Sequence, residues 1–255
     1  MSNKEGKAKK NTLVASIKGT KASDIINVLE RLPLESRKKV TEITLDMAKN
    51  MQAAVTPCFP NACLVTDRFH VVKLVIDALQ HLRIKYRWEV TDQENEAIAL
   101  ARKQGKTYSP KVYDNGDTPK KLLTRSRFML AKDASKWTEH QRRRAEILFR
   151  EYPEIERGYT HVMELRNIYS CTTKSVAKQK MEQWISKTNR LDMKVLNTAS
   201  RSIEYHLEHI LNFFDHRNTN AFAESFNAKI KLFRANCRGV KDTSFFLFRI
   251  ATLFA

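Results

Sequence analysis

Strand-forming patterns are confined to the first 70 residues of this chain, and this asymmetry limits the possible folds more than any other feature of the sequence. Three short runs rich in β-branched and apolar residues alternate there with segments of helical spacing. These runs cover residues 12–17, 40–45 and 62–66. The third is nearly all apolar, which is typical of a central strand covered on both faces. The order strand, helix, strand predicts parallel pairing with crossover helices.

After residue 70 the apolar residues recur at helical spacing, so the remainder of the chain is predicted to be helical. Within the strand region, helices are expected over residues 24–32 and 47–55, each ended by proline. Prolines and an Asn-Gly pair mark residues 108–121 as a loop. The other predicted helices cover residues 70–105, 122–131, 138–149, 155–170, 176–187, 200–214, 218–238 and 244–254. The predicted class is therefore α/β, mainly α by residue count.

The net charge of +18 is concentrated in three stretches of the sequence. Residues 120–150 carry ten basic and three acidic side chains, and residues 1–11 and 224–241 are basic as well. This clustering favours a polyanion as partner, with nucleic acid ahead of a membrane surface. Any single run is also compatible with a solvated helix face. No stretch is apolar and long enough to span a membrane, and four cysteines without paired spacing are expected to be reduced and mostly buried.

Two aspartates stand where predicted strands end, Asp46 after the second run and Asp67 after the third. The carboxyl ends of parallel strands form the edge at which α/β folds bind ligands. Two carboxylates there repel one another unless they share a cation, and oxygen ligands select Mg²⁺ or Mn²⁺. The alternative role of each aspartate is to cap the helix that follows. His70, three residues after Asp67, either lies near the same strand end or packs at the start of that helix.

Glu224 lies on a predicted helix with one apolar and one polar face. The apolar stripe consists of Phe222, Phe226, Ile230 and Phe233. The polar face consists of Asn220, Glu224, Asn227 and Lys231. A carboxylate on a helix anchored in this way is able to complete a metal site, although a single helical glutamate is more often an exposed surface residue.

Three segments of the sequence resemble the DDE transposases of bacterial insertion sequences, specifically the ISL-three (ISL3) group. They are EITLDMAKNM, CFPNACLVTDRFHVVKL and FFDHRNTNAFAESFNAKIK, and the resemblance extends over residues 11–255. It implies a ribonuclease H-like core interrupted by a large all-helical insertion. Residues 1–70 are then a partial core, residues 71–214 the insertion with its connecting helices, and residues 215–255 the closing helices that carry Glu224.

The resemblance also implies roles for the candidate residues. Asp46 matches the second catalytic aspartate and Glu224 the closing glutamate, so both are expected to bind Mg²⁺ or Mn²⁺. Asp67 and His70 match the (Cys/Asp)-x-x-His element beside the site, and Asp67 is the less favoured alternative for the second aspartate. The implied reaction is DNA strand cleavage and strand transfer with two metal ions.

The implied partner is double-stranded DNA, both transposon ends and target, in the bacterial cytoplasm at the nucleoid and not at a membrane. A homo-oligomer in the transposition complex is one assembly that the resemblance allows. The residues expected to contact DNA are Arg68, Lys73, Arg142, Arg143, Arg144, Asn220, Asn227, Lys229, Lys231 and Arg234.

The family places its first catalytic aspartate on the first core strand, and the sequence departs from that pattern. No aspartate precedes Asp24, which falls in a predicted helix. The chain is therefore expected to be the C-terminal catalytic portion of a transposase, with an N-terminally truncated core and no activity by itself. Two alternatives remain open: a DNA-binding remnant without catalysis, and a partly unfolded product whose remaining strands expose hydrophobic faces.

Overall fold

The computed structural model describes residues 1–3, 13–217 and 221–254, with side chains omitted for 221–224 and 254. The chain folds as two compact units. The sheet unit comprises residues 1–70 and 208–255, and the helical unit comprises residues 71–207. The sheet unit contains two short strands, and the described remainder of both units is helix, turn or coil. The predicted class, α/β and mainly α, is confirmed.

The two strands of the sheet unit form one parallel pair. β1 (Glu42–Leu45) and β2 (Cys63–Thr66) run in the same direction, with Leu45 opposite Thr66. Helix α3 (Lys49–Cys58) connects them, as the order of patterns predicts. Helices α1 (Ala22–Leu29) and α2 (Leu34–Lys38) precede β1.

Apolar side chains of α1, α3 and β1 form the core of the sheet unit. Ile25 and Leu29 of α1 pack in one buried cluster with Ile43 of β1 and with Val55 and Cys58 of α3. The helical spacing of the α1 residues places them on one face, which is buried against α3. This packing holds α3 beside the strand pair and so fixes where the connections at the strand ends lie.

Three sequence expectations for the sheet unit are wrong. No strand forms over the described residues 13–17. Leu13 makes an isolated antiparallel bridge with Ser2, and Thr12 lies outside the described residues. A β-prone run needs a partner strand, and here the N–H groups of Val14 and Ala15 bond instead to Met1 O. The second is the position of β2, which pairs only with β1 in the described part of the chain and is therefore not central.

The third wrong expectation concerns the end of α3. The helix was expected to end at residue 55, but it continues through Pro57 to Cys58. Phe59 N–H still donates to Val55 O, and Arg37 Nη1 donates to Cys58 O at 2.8 Å. The first of these bonds continues the helical pattern past the proline, and the second satisfies a carbonyl in the last turn that has no partner within the helix. All four cysteines are free, as expected, but Cys63 and Cys237 are exposed rather than buried.

The long helix α4 (Arg68–Lys103) begins in the sheet unit and enters the helical unit. Its predicted stripe is confirmed, because Val71, Val75 and Leu79 are fully buried. The helices that follow are α5 (Pro119–Arg125), α6 (Glu139–Glu151), α7 (Pro153–Ile168), α8 (Lys174–Arg190) and α9 (Lys194–Tyr205). A 3-10 turn spans Ala134–Lys136. Helices α5 to α9 pack on one another in chain order.

Two predicted helices of this region differ from the structure. The helix expected over 200–214 is interrupted, so that α9 is followed by α10 (Leu207–Leu211) and α11 (Phe213–His216). Helix α5 begins at Pro119, earlier than expected, because Thr118 accepts a hydrogen bond from Lys121 N–H and proline suits the first helical position. The chain ends with α12 (Ala221–Asn236) and α13 (Thr243–Phe254).

His161 of α7 is a buried titratable group between two helices. Its ring is 1% exposed, stacks on Trp184 of α8 at 4.5 Å, and places Nε2 2.6 Å from Thr188 Oγ1. Burial lowers the pKa of His161 more than the neighbouring carboxylate of Glu164 raises it. The folded protein therefore holds this imidazole neutral under conditions in which the unfolded chain binds a proton.

We expect the free energy of unfolding to fall as the pH drops through about 6.5, the ordinary pKa of histidine. In that range the unfolded state takes up a proton that folded His161 resists, so stability increases with pH. Urea unfolding of the His161→Gln variant between pH 5 and 7.5 should show a flatter pH dependence than the wild type. His140→Gln, at an exposed position of the same unit, serves as the control. An unchanged slope in His161→Gln would contradict the prediction.

Candidate active site

The parallel strand pair brings Asp46 and Asp67 to the same edge of the sheet. Leu45 and Thr66 are opposite one another in register, and each aspartate is the next residue along its strand. Asp67 N–H donates to Leu45 O at 2.8 Å, which extends the ladder to this point. Two carboxylate-bearing residues thus follow neighbouring strands at their carboxyl ends, where open α/β sheets bind ligands.

Asp46 presents its side chain to solvent. The residue is exposed, and its Oδ1 accepts a hydrogen bond from Ala48 N–H at 3.0 Å. This local bond orients the carboxylate in the turn between β1 and α3. The N-cap residue of α3 is Ala48, so Asp46 does not occupy the capping position. An exposed and oriented carboxylate at a strand end is suited to a hard cation.

Asp67, in contrast, is only 2% exposed and occupies the start of α4. Its Oδ1 accepts a hydrogen bond from Phe69 N–H at 3.2 Å, which satisfies one of the donors that a helix start leaves unbonded. Oδ2 is buried and has no hydrogen-bond partner within the described residues. Asp67 thus caps α4, one of the two roles left open by the sequence, and its role beside a metal site stays a prediction.

His70 lies one turn into α4, next to Asp67. Its N–H donates to Asp67 O at 3.1 Å, and its half-buried ring meets the ring of Phe69 edge-on, with centroids 5.5 Å apart. His70 therefore packs at the start of α4, and a role for its side chain at the strand end stays a prediction. Arg68 and Phe69 are exposed at the same helix start.

Glu224 belongs to the first turn of α12, but its side chain and Asn220 lie outside what the structure describes. Farther along α12 the two predicted faces are present. Exposed residues are Asn227, Lys229, Lys231 and Arg234, and half-buried residues are Phe226, Ile230 and Phe233. Phe233 stacks on Phe246 of α13 at 5.6 Å, which anchors the helix. The basic face of α12 is consequently open to solvent.

The predicted metal site is described only in part. Among the described side chains, no three His, Cys, Asp or Glu residues converge closely enough to hold a metal ion. Asp46 is one of these side chains and Glu224 is not. The proposed pairing of these two carboxylates therefore stays a prediction.

The candidate DNA contacts of the helical unit differ in their surroundings. Lys73 and Arg143 are exposed and form helical ion pairs with Asp77 and Glu139. Arg142 is also exposed. Arg144 is different, because only 17% of its side chain is exposed and its Nε donates to Asp117 Oδ2 at 2.8 Å.

Asp117 is fully buried and also accepts a bond from Arg125 Nη1 at 2.6 Å, so it joins the loop before α5 to α5 and α6. Arg144 therefore has a structural partner. The sequence marks Asp117 only by its position, because it follows an Asn-Gly pair and precedes a basic segment.

No helix in the described part of the chain is both long and apolar enough to cross a membrane.

The family model and the curated relatives that match this chain are all transposases. A model of the ISL3-type DDE transposases, described as transposase, matches residues 3–250. The chain is 28% identical over 211 residues to the transposase for insertion sequence element IS1557 of Mycobacterium tuberculosis, covering 80% of this chain and 45% of that protein.

It is 22% identical over 226 residues to the transposase for insertion sequence element IS1001 of Bordetella parapertussis, covering 88% of this chain and 50% of that protein. The chain thus spans about half the length of the curated relatives it matches. No solved structure is significantly similar to it.

Proposed function

The chain belongs to the ISL3-type DDE transposases, and from this membership we propose that it is a catalytic portion of an insertion-sequence transposase that cleaves and transfers DNA strands. The observation that carries the proposal is the exposed carboxylate of Asp46 at the end of β1. Asp67 occupies the equivalent position on β2 but is buried as a helix cap. Asp46 is therefore the catalytic aspartate in this proposal, with Glu224 as its partner on α12.

The roles of the residues follow from their positions. Asp46 is oriented by Ala48 N–H, and together with Glu224 it would hold Mg²⁺ or Mn²⁺. The chemistry that such an ion would supply when bound is activation of a water or a 3′-hydroxyl and stabilisation of the leaving oxygen. Asp67 fixes the start of α4 and so positions Arg68 and His70 beside the edge. From the family membership we also propose that the sheet unit is a ribonuclease H-like core.

The proposed substrate is double-stranded DNA, at transposon ends and at the target. Its phosphates would lie along the exposed basic side chains, where neutralising each one releases counterions and stabilises binding. On α12 these are Lys229, Lys231 and Arg234, with Asn227 beside them. Arg68 of the sheet unit and, separately, Lys73, Arg142 and Arg143 of the helical unit are the other exposed basic side chains proposed to contact DNA. Arg144 is not among them, because it bonds to buried Asp117.

Metal binding tests the assignment of the two carboxylates. We expect Mn²⁺ binding to the 255-residue protein, measured by electron paramagnetic resonance, to weaken about tenfold or more in Asp46→Ala and in Glu224→Ala. Asp67→Ala should retain Mn²⁺ binding, because its carboxylate caps α4. Asp24→Ala, which removes an exposed carboxylate of α1, is the matched control.

DNA cleavage provides the second readout. Only Asp46 and Glu224, two of the three DDE carboxylates, are matched within these 255 residues. We therefore expect the 255-residue protein by itself to show weak or no strand cleavage in Mg²⁺ or Mn²⁺. Mn²⁺ binding that is unchanged in Asp46→Ala and Glu224→Ala would refute the assignment. Robust cleavage that survives both substitutions would also refute it.

A second candidate function is DNA binding without catalysis. The exposed basic face of α12 favours it, because phosphate binding there does not require a metal site. This function predicts an affinity whose logarithm falls linearly with the logarithm of salt concentration in the absence of divalent metal. It also predicts no Mn²⁺ binding that depends on Asp46, which separates it from the first proposal.

A further inference from the structure

Three arginines of the helical unit converge on one side of α4. Arg83 and Arg87 are one turn apart on the helix. Gln80 Nε2 donates to Arg127 O at 2.9 Å, and Arg83 Nη1 donates to Leu123 O at 2.8 Å. These two bonds fasten the chain around α5 to the same face of α4. The charges of Arg87 and Arg127 are both close enough to Arg83 to repel it. We call Arg83, Arg87 and Arg127 the arginine cluster.

Within the part of the chain that the structure describes, the arginine cluster has no acidic counterpart. No ion pair joins any of its three members to a carboxylate among the side chains that the structure describes. Arg83 is only 4% exposed, and its burial together with repulsion from Arg87 and Arg127 lowers its pKa to about 10. Since like charges held together without a counter-charge destabilise one another, a bound anion would relieve the repulsion.

Two large aromatic rings stand exposed beside the arginine cluster. Phe128 is 70% exposed and Trp88 is 56% exposed. The guanidinium of Arg127 lies 5.3 Å from the Phe128 ring centroid, and that of Arg87 lies 5.4 Å from the Trp88 ring centroid. Aromatic rings interleaved with arginines are the combination on which unpaired bases stack while the backbone phosphates pair with the cations. A base-paired duplex does not offer its base faces to such rings.

We propose that the arginine cluster binds a backbone phosphate of single-stranded DNA, with unpaired bases stacked on Phe128 and Trp88. Arg87 and Arg127 contact the phosphate. Arg83 does not contact it but contributes a buried positive charge, held in place by its hydrogen bonds to Gln80 Oε1 and Leu123 O. The choice of DNA as the ligand rests on the proposed function. The site would hold a strand that has been opened or cleaved, and it lies on a different unit from Asp46.

The test is fluorescence anisotropy of a labelled single-stranded oligonucleotide and of the matching duplex, at several salt concentrations with EDTA present. We expect Phe128→Ala to weaken single-strand binding about tenfold and to leave duplex binding unchanged. The double variant Arg87→Gln/Arg127→Gln should weaken single-strand binding more than duplex binding. It should also reduce the salt slope by about 0.7 for each phosphate that the variant no longer neutralises.

Two variants at other exposed positions of the helical unit, one at an arginine and one at an aromatic residue, are the controls. Arg102→Gln removes a charge near the end of α4, and Tyr205→Ala removes an exposed ring at the end of α9, and both should bind like the wild type. Unchanged single-strand affinity in Phe128→Ala would overturn the proposal, and so would absence of single-strand binding by the wild type. An equal loss for the duplex would also overturn it, by assigning the cluster to duplex backbone. Because the assay contains no free divalent metal, these outcomes leave the test of Asp46 and Glu224 independent.

Discussion

Replacing Asp117 with alanine is expected to lower the free energy of unfolding of the helical unit by about 3 kcal/mol. The carboxylate is fully buried and bonds to both Arg125 and Arg144. Its removal leaves Arg144, with 17% of its side chain exposed, without its partner, and breaking such a pair costs about 3–5 kcal/mol. We take the lower end of that range because 55% of the Arg125 side chain is exposed and can be hydrated.

Urea unfolding followed by far-ultraviolet circular dichroism measures this loss, which corresponds to a melting temperature lower by about 6–12 °C. Asp114→Ala is the matched control, because Asp114 is an exposed carboxylate in the same turn. Its effect should stay within about 0.5 kcal/mol. If Asp117→Ala were no less stable than Asp114→Ala, the buried ion pairs would not contribute to stability as proposed.

Truncation of Trp184 to alanine should destabilise the helical unit by about 3–5 kcal/mol. The side chain is 3% exposed, stacks on His161 and donates from Nε1 to His161 O at 2.8 Å. Alanine leaves a cavity between α7 and α8 and removes the indole hydrogen bond to His161 O. Trp184→Phe should retain most of the packing and lose about 1 kcal/mol for the hydrogen bond.

Denaturant midpoints of the two variants, compared with the wild type, test this ordering. Trp88→Ala provides the control, because the Trp88 side chain is 56% exposed and its loss should hardly affect stability. Equal destabilisation by Trp184→Ala and Trp184→Phe would show that the hydrogen bond, and not the packing, dominates. Equal effects of Trp184→Ala and Trp88→Ala would contradict the prediction altogether.

Several elements follow from the sequence because their causes are local. The runs that became β1 and β2 are apolar and β-branched, and a segment long enough for one helix separates them, so parallel pairing was predictable. The buried stripe of α4 follows from apolar residues at helical spacing. Residues 13–17 are likewise rich in apolar and β-branched residues, yet no strand forms over them, because strand pairing depends on a partner that local sequence does not specify.

The candidate site was predictable to a similar degree. Strand ends and the family motif identified Asp46, Asp67, His70 and Glu224, and the register places the first two at one edge. The sequence did not reveal the arginine cluster, since Arg83, Arg87 and Arg127 are separated by up to 44 positions and meet only through the packing of the chain around α5 on α4. Charge counting over 120–150 likewise treated Arg144 as one more surface cation.

The sequence alone determined the family, the parallel strand pair and the two aspartates that follow it, since these depend on residue order and local periodicity. Only the tertiary structure decided what each charged side chain faces. It buries Asp67 as the cap of α4 and leaves Asp46 in solvent, and it directs Arg144 to buried Asp117. The physical reason is that burial and ion pairing are set by neighbours distant in sequence, and these two factors determine whether a charge stabilises the fold or remains available to a ligand.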